Sequence, residues 1–224
     1  MKYIDEFRNL DIAARIFRLI EEDAKGLEPV NFMEVCGTHT MAVERFGIRR
    51  MLPENIKLIS GPGCPVCVTP KNYIDKAIAF TAVDDVMVVS FGDMLKVPGS
   101  ETSLAKQRPN ARVKIVYSPL DAVEFAEKNQ DKKIVFLGIG FETTVPTVAA
   151  SVKYAKRKKL KNFFVYSGHK VMPPAMRLLA EDKDVNIKGF LCPAHVSAII
   201  GTRPYSVISK KYKIPCVISG FEPL

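Results

Sequence analysis

The sequence predicts an α/β protein built on parallel sheets, and two observations lead to this fold class. Short apolar runs of strand length alternate along the chain with stretches of helical periodicity. Buried strands that alternate with helices form parallel sheets through right-handed crossovers. The second observation is length, because 224 residues suffice for one large domain or for two small ones with separate cores.

Eight apolar runs are the candidate strands, and helical patterns separate most of them. The predicted strands are Phe32–Cys36, Lys57–Ser60, Val86–Phe91, Val113–Tyr117, Ile134–Gly138, Phe163–Tyr166, Ile187–Leu191 and Pro215–Ser219. The predicted helices between them are Tyr73–Phe80, Pro119–Lys128, Val145–Lys158, Pro174–Glu181 and Pro204–Tyr212. An amphipathic N-terminal helix is predicted within residues 1–26, with one apolar face formed by Ile4, Phe7, Leu10, Phe17 and Ile20.

Two architectures fit eight strand–helix units, and the alternation alone does not decide between them. The units could close into a (β/α)8 barrel, for which 224 residues is short. They could instead divide into two four-stranded Rossmann-like lobes. The most polar interval, 127–133 (EKNQDKK), is then the predicted boundary, with a first lobe at 27–130 and a second at 131–224.

The composition excludes several classes of protein. Residues 1–26 lack the unbroken apolar core of a signal peptide, and no segment reaches about 18 consecutive apolar residues, so we expect a cytoplasmic protein without a membrane span. In a reducing compartment, five cysteines indicate metal binding, redox chemistry or burial rather than a disulfide framework.

The net charge of +9 includes one dense basic run at 153–161 (KYAKRKKLK). This run closes a predicted helix, where cations suit the negative end of the helix dipole. No nucleic-acid-binding motif accompanies it, so a solvated surface or a docking patch for an acidic partner is favoured over nucleic acid.

Unusual turns follow nearly every predicted strand. They read VCGTHT, SGPGCPVC, SFGDMLKVPG, GIGFETT, YSGHK, CPAHVS and SGFEP. In open parallel sheets, ligands bind beyond the carboxyl ends of the strands. Turns this rich in cysteine, histidine and glycine therefore predict a lined cleft at that edge.

The pair Cys64 and Cys67 forms a CxxC motif expected at a strand-to-helix junction. A helix end and nearby amides would lower the pKa of the first thiol, and the spacing lets the two sulfurs form a disulfide. A structural zinc site is the alternative, but it needs further ligands, and no second CxxC is present. Thiol redox chemistry or transient metal binding is therefore favoured for this pair.

Cys36 and His39 lie three residues apart in the turn CGTH. A thiolate and an imidazole at this spacing can bind one soft or borderline metal ion, or they can act as a Cys–His nucleophile pair. Gly37 between them permits a close approach by a ligand. A buried cysteine beside a histidine that caps the next helix remains the alternative.

The second half of the chain adds Glu142, His169 and His195, all in turns after strands. Glu142 could ligate a metal, accept protons or pair with a lysine. Thr143 or Thr144 is a natural N-cap for the helix that starts near Val145. GIGFET lacks the last glycine of the dinucleotide motif GxGxxG, so a dinucleotide site has little support. Cys216 reads as a small buried strand residue.

Taken in order, seven strings resemble the HypD family of [NiFe]-hydrogenase maturation proteins across the whole chain. They are FMEVCGTHT, SGPGCPVCVTP, SFGDMLKVPGS, GIGFETT, HKVMPPAM, LCPAHVSAIIG and ISGFEPL. The resemblance implies two Rossmann-like lobes that face a cleft. It also implies a scaffold on which iron acquires two cyanides and a carbon monoxide, with a HypC-type chaperone and a HypE-type cyanide donor as partners.

The resemblance also implies roles for individual residues. Cys36 would hold the iron, with His39 beside it in the same motif. Cys64 and Cys67 would carry out thiol redox steps. His195 matches the histidine of the family's PxHVS turn. Our further hypothesis is that Glu142, His169 and His195 lie on the facing lobe, where they hydrogen-bond cyanides or move protons. The remaining cargo-binding residues expected from these turns are Gly37, Thr38, Thr143 and Thr144.

Family members continue past FEP into a region whose cysteines bind a [4Fe–4S] cluster. No cysteine set here has that spacing, so a cluster is expected for the full-length family and not for this chain. Two other functions stay open on the residues alone. One is an independent thiol–disulfide oxidoreductase that uses CPVC, and the other is a non-catalytic assembly module.

Overall fold

A computed structural model describes residues 5–107 and 112–224, and its architecture is α/β, as predicted. The strands are β1 (Val30–Glu34), β2 (Ile56–Ser60), β3 (Val86–Ser90), β4 (Val113–Ile115), β5 (Lys133–Gly138), β6 (Phe163–Ser167), β7 (Ile187–Pro193) and β8 (Cys216–Ser219). They form two four-stranded sheets in which every strand pair is parallel. The two Rossmann-like lobes that the sequence analysis anticipated are therefore confirmed.

The five helices predicted between the strands lie at or within a few residues of their predicted positions. Among the described residues, four further short helices were not predicted, at Gly37–Arg45, Ile48–Met51, Leu104–Gln107 and Ala194–Ile200. The helices are α1 (Leu10–Ala24), α2 (Gly37–Arg45), α3 (Ile48–Met51), α4 (Lys71–Phe80), α5 (Leu104–Gln107), α6 (Pro119–Lys128), α7 (Val145–Arg157), α8 (Met172–Glu181), α9 (Ala194–Ile200) and α10 (Arg203–Tyr212). Short 3-10 turns add Asp5–Arg8 and Gly92–Lys96. None of the helices within the described ranges is long and apolar enough to cross a membrane.

The predicted domain boundary is wrong, because the lobes are not consecutive halves of the chain. The first unit contains residues 1–64 and 171–224, and the second unit contains 65–170. The polar stretch 127–133 lies inside the second unit, where it is the surface turn between α6 and β5. Local polarity marks an exposed turn, whereas sheet membership depends on strand pairing between distant segments, and that pairing left no local signal in the sequence.

The sheet of the first unit has the strand order β2-β1-β7-β8. Strand β1 pairs with β2 on one side and with β7 on the other, so Phe32 lies opposite both Leu58 and Gly189. A Cβ atom on Gly189 would come within 2.7 Å of the Phe32 ring, so the absence of a side chain there makes room for that ring. This pairing joins segments more than 150 residues apart.

The sheet of the second unit has the order β4-β3-β5-β6. Its central strand β5 is buried on both faces, with Ile134, Phe136 and Leu137 fully buried, as expected for a strand covered by helices on each side. Helix α6 covers one face and starts with a capping box, in which Ser118 and Asp121 exchange side-chain and backbone hydrogen bonds.

The N-terminal helix is shorter than predicted and packs loosely. Asn9 caps α1 by accepting hydrogen bonds from the amides of Asp11 and Ile12, Phe7 lies in the preceding 3-10 turn, and Ile4 lies outside the described residues. Only Ala24 of α1 is buried. Apolar cavities of about 480 and 530 Å³ are lined by residues of α1 and other parts of the first unit.

In both sheets the strand order reverses once, between β1 and β7 in the first unit and between β3 and β5 in the second. At such a switch point the connections leave toward opposite sides, and a crevice opens beyond the carboxyl ends of the two strands. The topology therefore marks one place in each unit where a ligand would bind.

Candidate functional site

Cys36 lies at the switch point of the first unit, in the turn between β1 and α2. It occupies the N-cap position of α2 in an extended conformation, and its carbonyl accepts hydrogen bonds from the amides of His39 (3.0 Å) and Thr40 (3.3 Å). The thiol is free and its residue is buried. Gly37 and Thr38 form the exposed start of the helix. The turn therefore holds one unbonded thiol beside the first turn of a helix.

His39 is 4% exposed, and its ring is held by Ser219, the last residue of β8. Its Nε2 lies 3.1 Å from the carbonyl oxygen of Ser219 and 3.1 Å from the Ser219 hydroxyl. A carbonyl only accepts hydrogen bonds, so the tautomer that bonds to it carries the proton on Nε2 and leaves a lone pair on Nδ1. Nδ1 is buried without a hydrogen-bond partner among the described residues. His39 therefore offers an unprotonated nitrogen of the kind that metal ions and proton donors bind.

His195 belongs to the same unit as His39, which corrects its expected place on a lobe facing Cys36. It sits in the first turn of α9, directly after β7, and β7 is the strand that pairs with β1. The Phe221 ring contacts both imidazoles, at centroid distances of 4.9 Å to His39 and 5.2 Å to His195. Burial lowers the pKa of His195, and repulsion between the two imidazoles, which acts when His39 is protonated, lowers it further. The two histidines therefore form one cluster.

No residue of the SGFEP turn was among the predicted site residues, yet two of them complete this cluster. Ser219 fixes the His39 ring, and Phe221 lies against both histidines. The next residue, Glu222, accepts hydrogen bonds from the Arg8 guanidinium at 2.6 and 2.9 Å, and this contact lowers the pKa of the carboxyl. The sequence signal was the position of the SGFEP turn directly after a strand. No local feature showed that this turn would contact the turns of His39 and His195.

The loop that carries the CPVC motif packs directly on the Cys36 turn. A Cβ atom on Gly63 would lie 2.3 Å from the amide nitrogen of Gly37 and 2.4 Å from Cα of Cys36. Only glycine permits this backbone contact, and Gly63 is the residue immediately before Cys64. The fold thus brings the CGTH turn and the start of the CPVC motif together.

Cys64 and Cys67 are disulfide-bonded, whereas the other three cysteines are free. The expected helix junction is displaced, because α4 begins at Lys71 and the CPVC residues form turns before it. The expected lowering of the Cys64 pKa by a helix end therefore loses its structural basis. The prolines at 65 and 70 leave two backbone positions without amide donors, which favours a turn over an earlier helix start.

Cys192 and Cys216 form a second thiol pair that the sequence analysis did not identify. Cys216 begins β8 and is half-buried, and Cys192 is fully buried on the neighbouring strand β7. A hydrogen bond between the two thiols raises the pKa of Cys192, helped by burial, and lowers the pKa of Cys216. Cys216 therefore has a polar partner and is more than a buried apolar side chain.

Four of the predicted site residues in the second unit lie after β5 and β6. Glu142 is buried. Thr144 is the N-cap residue of α7, as predicted, but its hydroxyl donates to the Phe141 carbonyl at 2.9 Å and makes no capping bond. Thr143 is half-buried beside it.

His169 packs against the end of β5, where a Cβ atom on Gly138 would come within 2.8 Å of its ring. Its Nδ1 lies 2.9 Å from the Ser167 hydroxyl, and its Nε2 is buried without a hydrogen-bond partner in the described part of the chain. Burial lowers the pKa of His169.

The structure therefore separates the predicted residues into two groups. Those of the first unit are Cys36, Gly37, Thr38, His39, Cys64 and His195, and those of the second unit are Cys67, Glu142, Thr143, Thr144 and His169. Across residues 5–107 and 112–224, no group of three or more His, Cys, Asp or Glu side chains is arranged to hold a metal ion. The donors available at the Cys36 turn are one thiol and one imidazole nitrogen.

Comparison with known proteins gives a consistent result. The family model described as "HypD: Hydrogenase formation hypA family" matches residues 11–224. The chain is 45% identical to hydrogenase maturation factor HypD2 of Bradyrhizobium diazoefficiens, over 100% of this chain and 61% of that protein. It is 41% identical to hydrogenase maturation factor HypD of Escherichia coli, over 100% of this chain and 62% of that protein.

An archaeal relative extends the comparison. A putative hydrogenase expression/formation protein of Methanocaldococcus jannaschii is 46% identical, over 92% of this chain and 57% of that protein. The chain thus spans about three fifths of the length of the curated relatives it matches.

Proposed function

Because the chain belongs to the HypD family, we propose that it acts in hydrogenase maturation, as a scaffold that holds iron while the Fe(CN)2CO group of the [NiFe] centre is assembled. Iron is the cargo of this scaffold. The observation that supports the proposal best is the close approach of Gly63 to the Cys36–Gly37 backbone, which places the CGTH turn beside the start of the CPVC motif.

The Cys36 turn fits the iron cargo by its donor set. A free thiol and an imidazole nitrogen with an available lone pair are ligands that iron accepts. The turn supplies only these two donors, so the proposal takes the remaining ligands from the cyanides, from carbon monoxide and from a cysteine of a HypC-type partner. A small donor set suits cargo that must later be released.

The Cys64/Cys67 pair would supply electrons for cyanide transfer from a HypE-type donor. Release of cyanide from an enzyme thiocyanate needs two electrons, and a dithiol provides two when it closes to a disulfide. In balanced form, the thiocyanate and two cysteine thiols give the donor's thiol, hydrogen cyanide and the Cys64–Cys67 disulfide. The disulfide present between these residues corresponds to the oxidised product of that step.

The other residues would act on the cyanide ligands and their protons. His195 has a lowered pKa beside His39, so it is neutral near pH 7 and can accept a proton. Gly37 and Thr38 are exposed beside the buried Cys36 and are proposed as cargo-binding residues. Glu142, Thr143, Thr144 and His169 of the second unit are also proposed as cargo-binding residues. We place the protein in the cytoplasm, with no nucleic-acid partner.

Anaerobic metal analysis combined with infrared spectroscopy tests this function. The chain is co-expressed with HypC-type and HypE-type partners and purified without oxygen. We expect stoichiometric iron with cyanide and carbonyl stretches in the native complex, no retained iron in Cys36→Ala, and retained iron without cyanide bands in Cys64→Ala.

Cys216→Ser is the matched control, because it removes a free thiol of the same unit that the proposal does not use. The control should keep iron and both kinds of band. Normal iron and normal bands in Cys36→Ala would refute the scaffold function. An iron-free native complex that reduces disulfide substrates through CPVC would instead establish a thiol–disulfide oxidoreductase.

A further inference from the structure

Glu34 is a fully buried carboxylate at the end of β1, two residues before Cys36. Glu34 lies in the string FMEVCGTHT but was not among the predicted site residues. A carboxylate removed from water persists only where charged or hydrogen-bonding partners replace the lost solvent. The partners of Glu34 therefore show what it does.

Both carboxylate oxygens of Glu34 are engaged, by donors from two different helices. The Thr40 hydroxyl of α2 donates to Oε2 at 2.5 Å. The Arg49 guanidinium of α3 donates to Oε1 at 3.3 Å. The side chain thus reaches from the strand past the Cys36 turn and fastens both helices that follow it.

These two donors extend the network to the strand that precedes the CPVC loop. The Thr40 hydroxyl lies 3.2 Å from the hydroxyl of Ser60, the last residue of β2. Arg49 also donates to the Leu58 carbonyl on β2. In addition, the backbone carbonyl of Glu34 accepts a hydrogen bond from the Gly61 amide at 2.8 Å. The carboxylate is therefore the centre of a network that joins β1, α2, α3 and β2.

The hydrogen-bond network of Glu34 includes a residue at one end of each cysteine-containing turn. Thr40 is the residue after His39, and Ser60 opens the string SGPGCPVC, so the network fixes one end of each turn. The Gly63 contact with the Cys36–Gly37 backbone closes the same arrangement on the other side. If the carboxylate is replaced, the two turns lose their common anchor while the Gly63 contact remains.

We propose that Glu34 is a positioning residue that holds the Cys36–His39 turn in register with the loop of Cys64. This inference rests on the proposed function, because the register matters where cargo on Cys36 must react with the dithiol. A carboxylate suits the task since it accepts from a hydroxyl on one side and a guanidinium on the other, whereas an amide offers only one acceptor oxygen.

Two variants and a control separate this role from general stability. Glu34→Gln keeps the size of the side chain and turns a donor toward Arg49 or Thr40. Thr40→Val removes the hydroxyl that links Glu34 to Ser60. The control is Glu44→Gln, because Glu44 binds the same arginine at 2.7 Å but is largely exposed and does not touch the network's carboxylate. Circular dichroism establishes that each variant is folded.

The first measurement is cross-linking of Cys36 to Cys64 with dibromobimane in the reduced full chain, in a Cys67→Ser background with peptides identified by mass spectrometry. The second is the rate of cyanide loading in the complex with HypC-type and HypE-type partners, followed by infrared spectroscopy. We expect Glu34→Gln and Thr40→Val to retain iron, to lower the cross-link yield and to slow cyanide loading about ten- to a hundredfold, as small misplacements of reacting groups do. Glu44→Gln should match the parent chain in both the cross-link yield and the rate of cyanide loading.

Unchanged cross-linking and loading in the two variants would overturn the inference. If Glu34→Gln does not fold, Thr40→Val decides the question alone. A parent complex that holds no iron would reject the proposed function, and the cross-link yields would still show whether Glu34 sets the register of the two turns.

Discussion

The two units of this chain share one sheet topology and place different chemistry at its switch point. In the first unit the order β2-β1-β7-β8 brings Cys36, His39 and His195 to the reversal between β1 and β7. In the second unit the order β4-β3-β5-β6 puts the GIGFETT turn at the reversal between β3 and β5. The common topology accounts for where ligands would bind, and the turn residues account for which chemistry is available there.

The units also differ in how the chain builds them. The second unit is one continuous segment, whereas the first is interrupted after β2 by 106 residues, 65–170. The second unit has a dense apolar core around β5, while the first unit carries an N-terminal helix with only Ala24 buried. The first unit also buries apolar side chains, such as Phe190, Met172 and Met176, and it holds the buried polar side chains of Glu34 and His39.

The largest expected effect tests the apolar packing of the second unit. Phe136 is fully buried on β5 and meets Phe91 edge to face at 5.5 Å. Phe136→Ala should lower the free energy of unfolding by about 3–5 kcal/mol, because it removes buried apolar contacts and leaves a cavity. Denaturant unfolding measures this loss. Phe164→Ala on the neighbouring strand is the control, since that ring is 47% exposed and should cost clearly less. Equal losses would show that the core does not have the described packing.

A smaller effect tests the backbone contact that joins the two cysteine turns of the first unit. Gly63→Ala places a methyl group against the Cys36–Gly37 backbone and should destabilise the protein by about 1–3 kcal/mol, as overpacking does. Gly37→Ala is the matched control, because its Cβ would meet nothing within 4 Å. Both are measured by denaturant midpoints. A Gly63→Ala protein as stable as Gly37→Ala would argue against the contact.

The smallest expected effect concerns the pKa values of one histidine in each unit. Burial lowers the pKa of both His195 and His169, but only His195 also feels the charge of His39. His39→Gln, which can still donate to Ser219, should therefore raise the pKa of His195 and leave that of His169 unchanged. The chain has three histidines, so proton NMR of the ring Cε1 positions follows each one. An unchanged His195 titration would contradict the cluster.

The directions of these two pKa shifts determine how the stability of the folded protein changes with pH. Each lowered pKa means that the folded state favours neutral imidazole more than the unfolded chain does, whose histidines titrate near about 6.5. The contribution of both residues is present above about pH 6.5 and is lost as the pH falls toward the folded values. Thermal unfolding from pH 7 to 5 should show this loss, and His39→Gln should make the His195 part smaller.

Much of the fold could be predicted because its signals are local. All eight strands lie at or within two residues of their predicted positions, apart from small differences in length, and α6 matches at both ends. The apolar run of a buried strand and the proline and glycine of its turns are properties of adjacent residues. For the same reason, the family was recognisable from seven short strings in order.

The parts that failed depend on contacts between distant residues. The boundary at 127–133 followed a polar turn, and the placement of His195 followed from that boundary. Glu34 and Phe221 were missed because an acidic residue in a strand and a phenylalanine in a turn have no special pattern. Their roles appear only when Arg49, Thr40 and the two histidines are placed beside them.

The sequence by itself determined the α/β class, the positions of the strands and the residue types that stand at their carboxyl ends. Periodicity and turn chemistry act over a few residues, so a single chain displays them. Only the tertiary structure decided that β1 pairs with β7, which brings His195 to His39, and that Gly63 packs on Cys36. Parallel strand pairing joins segments through long crossovers, and its register depends on the packing of both sheet faces.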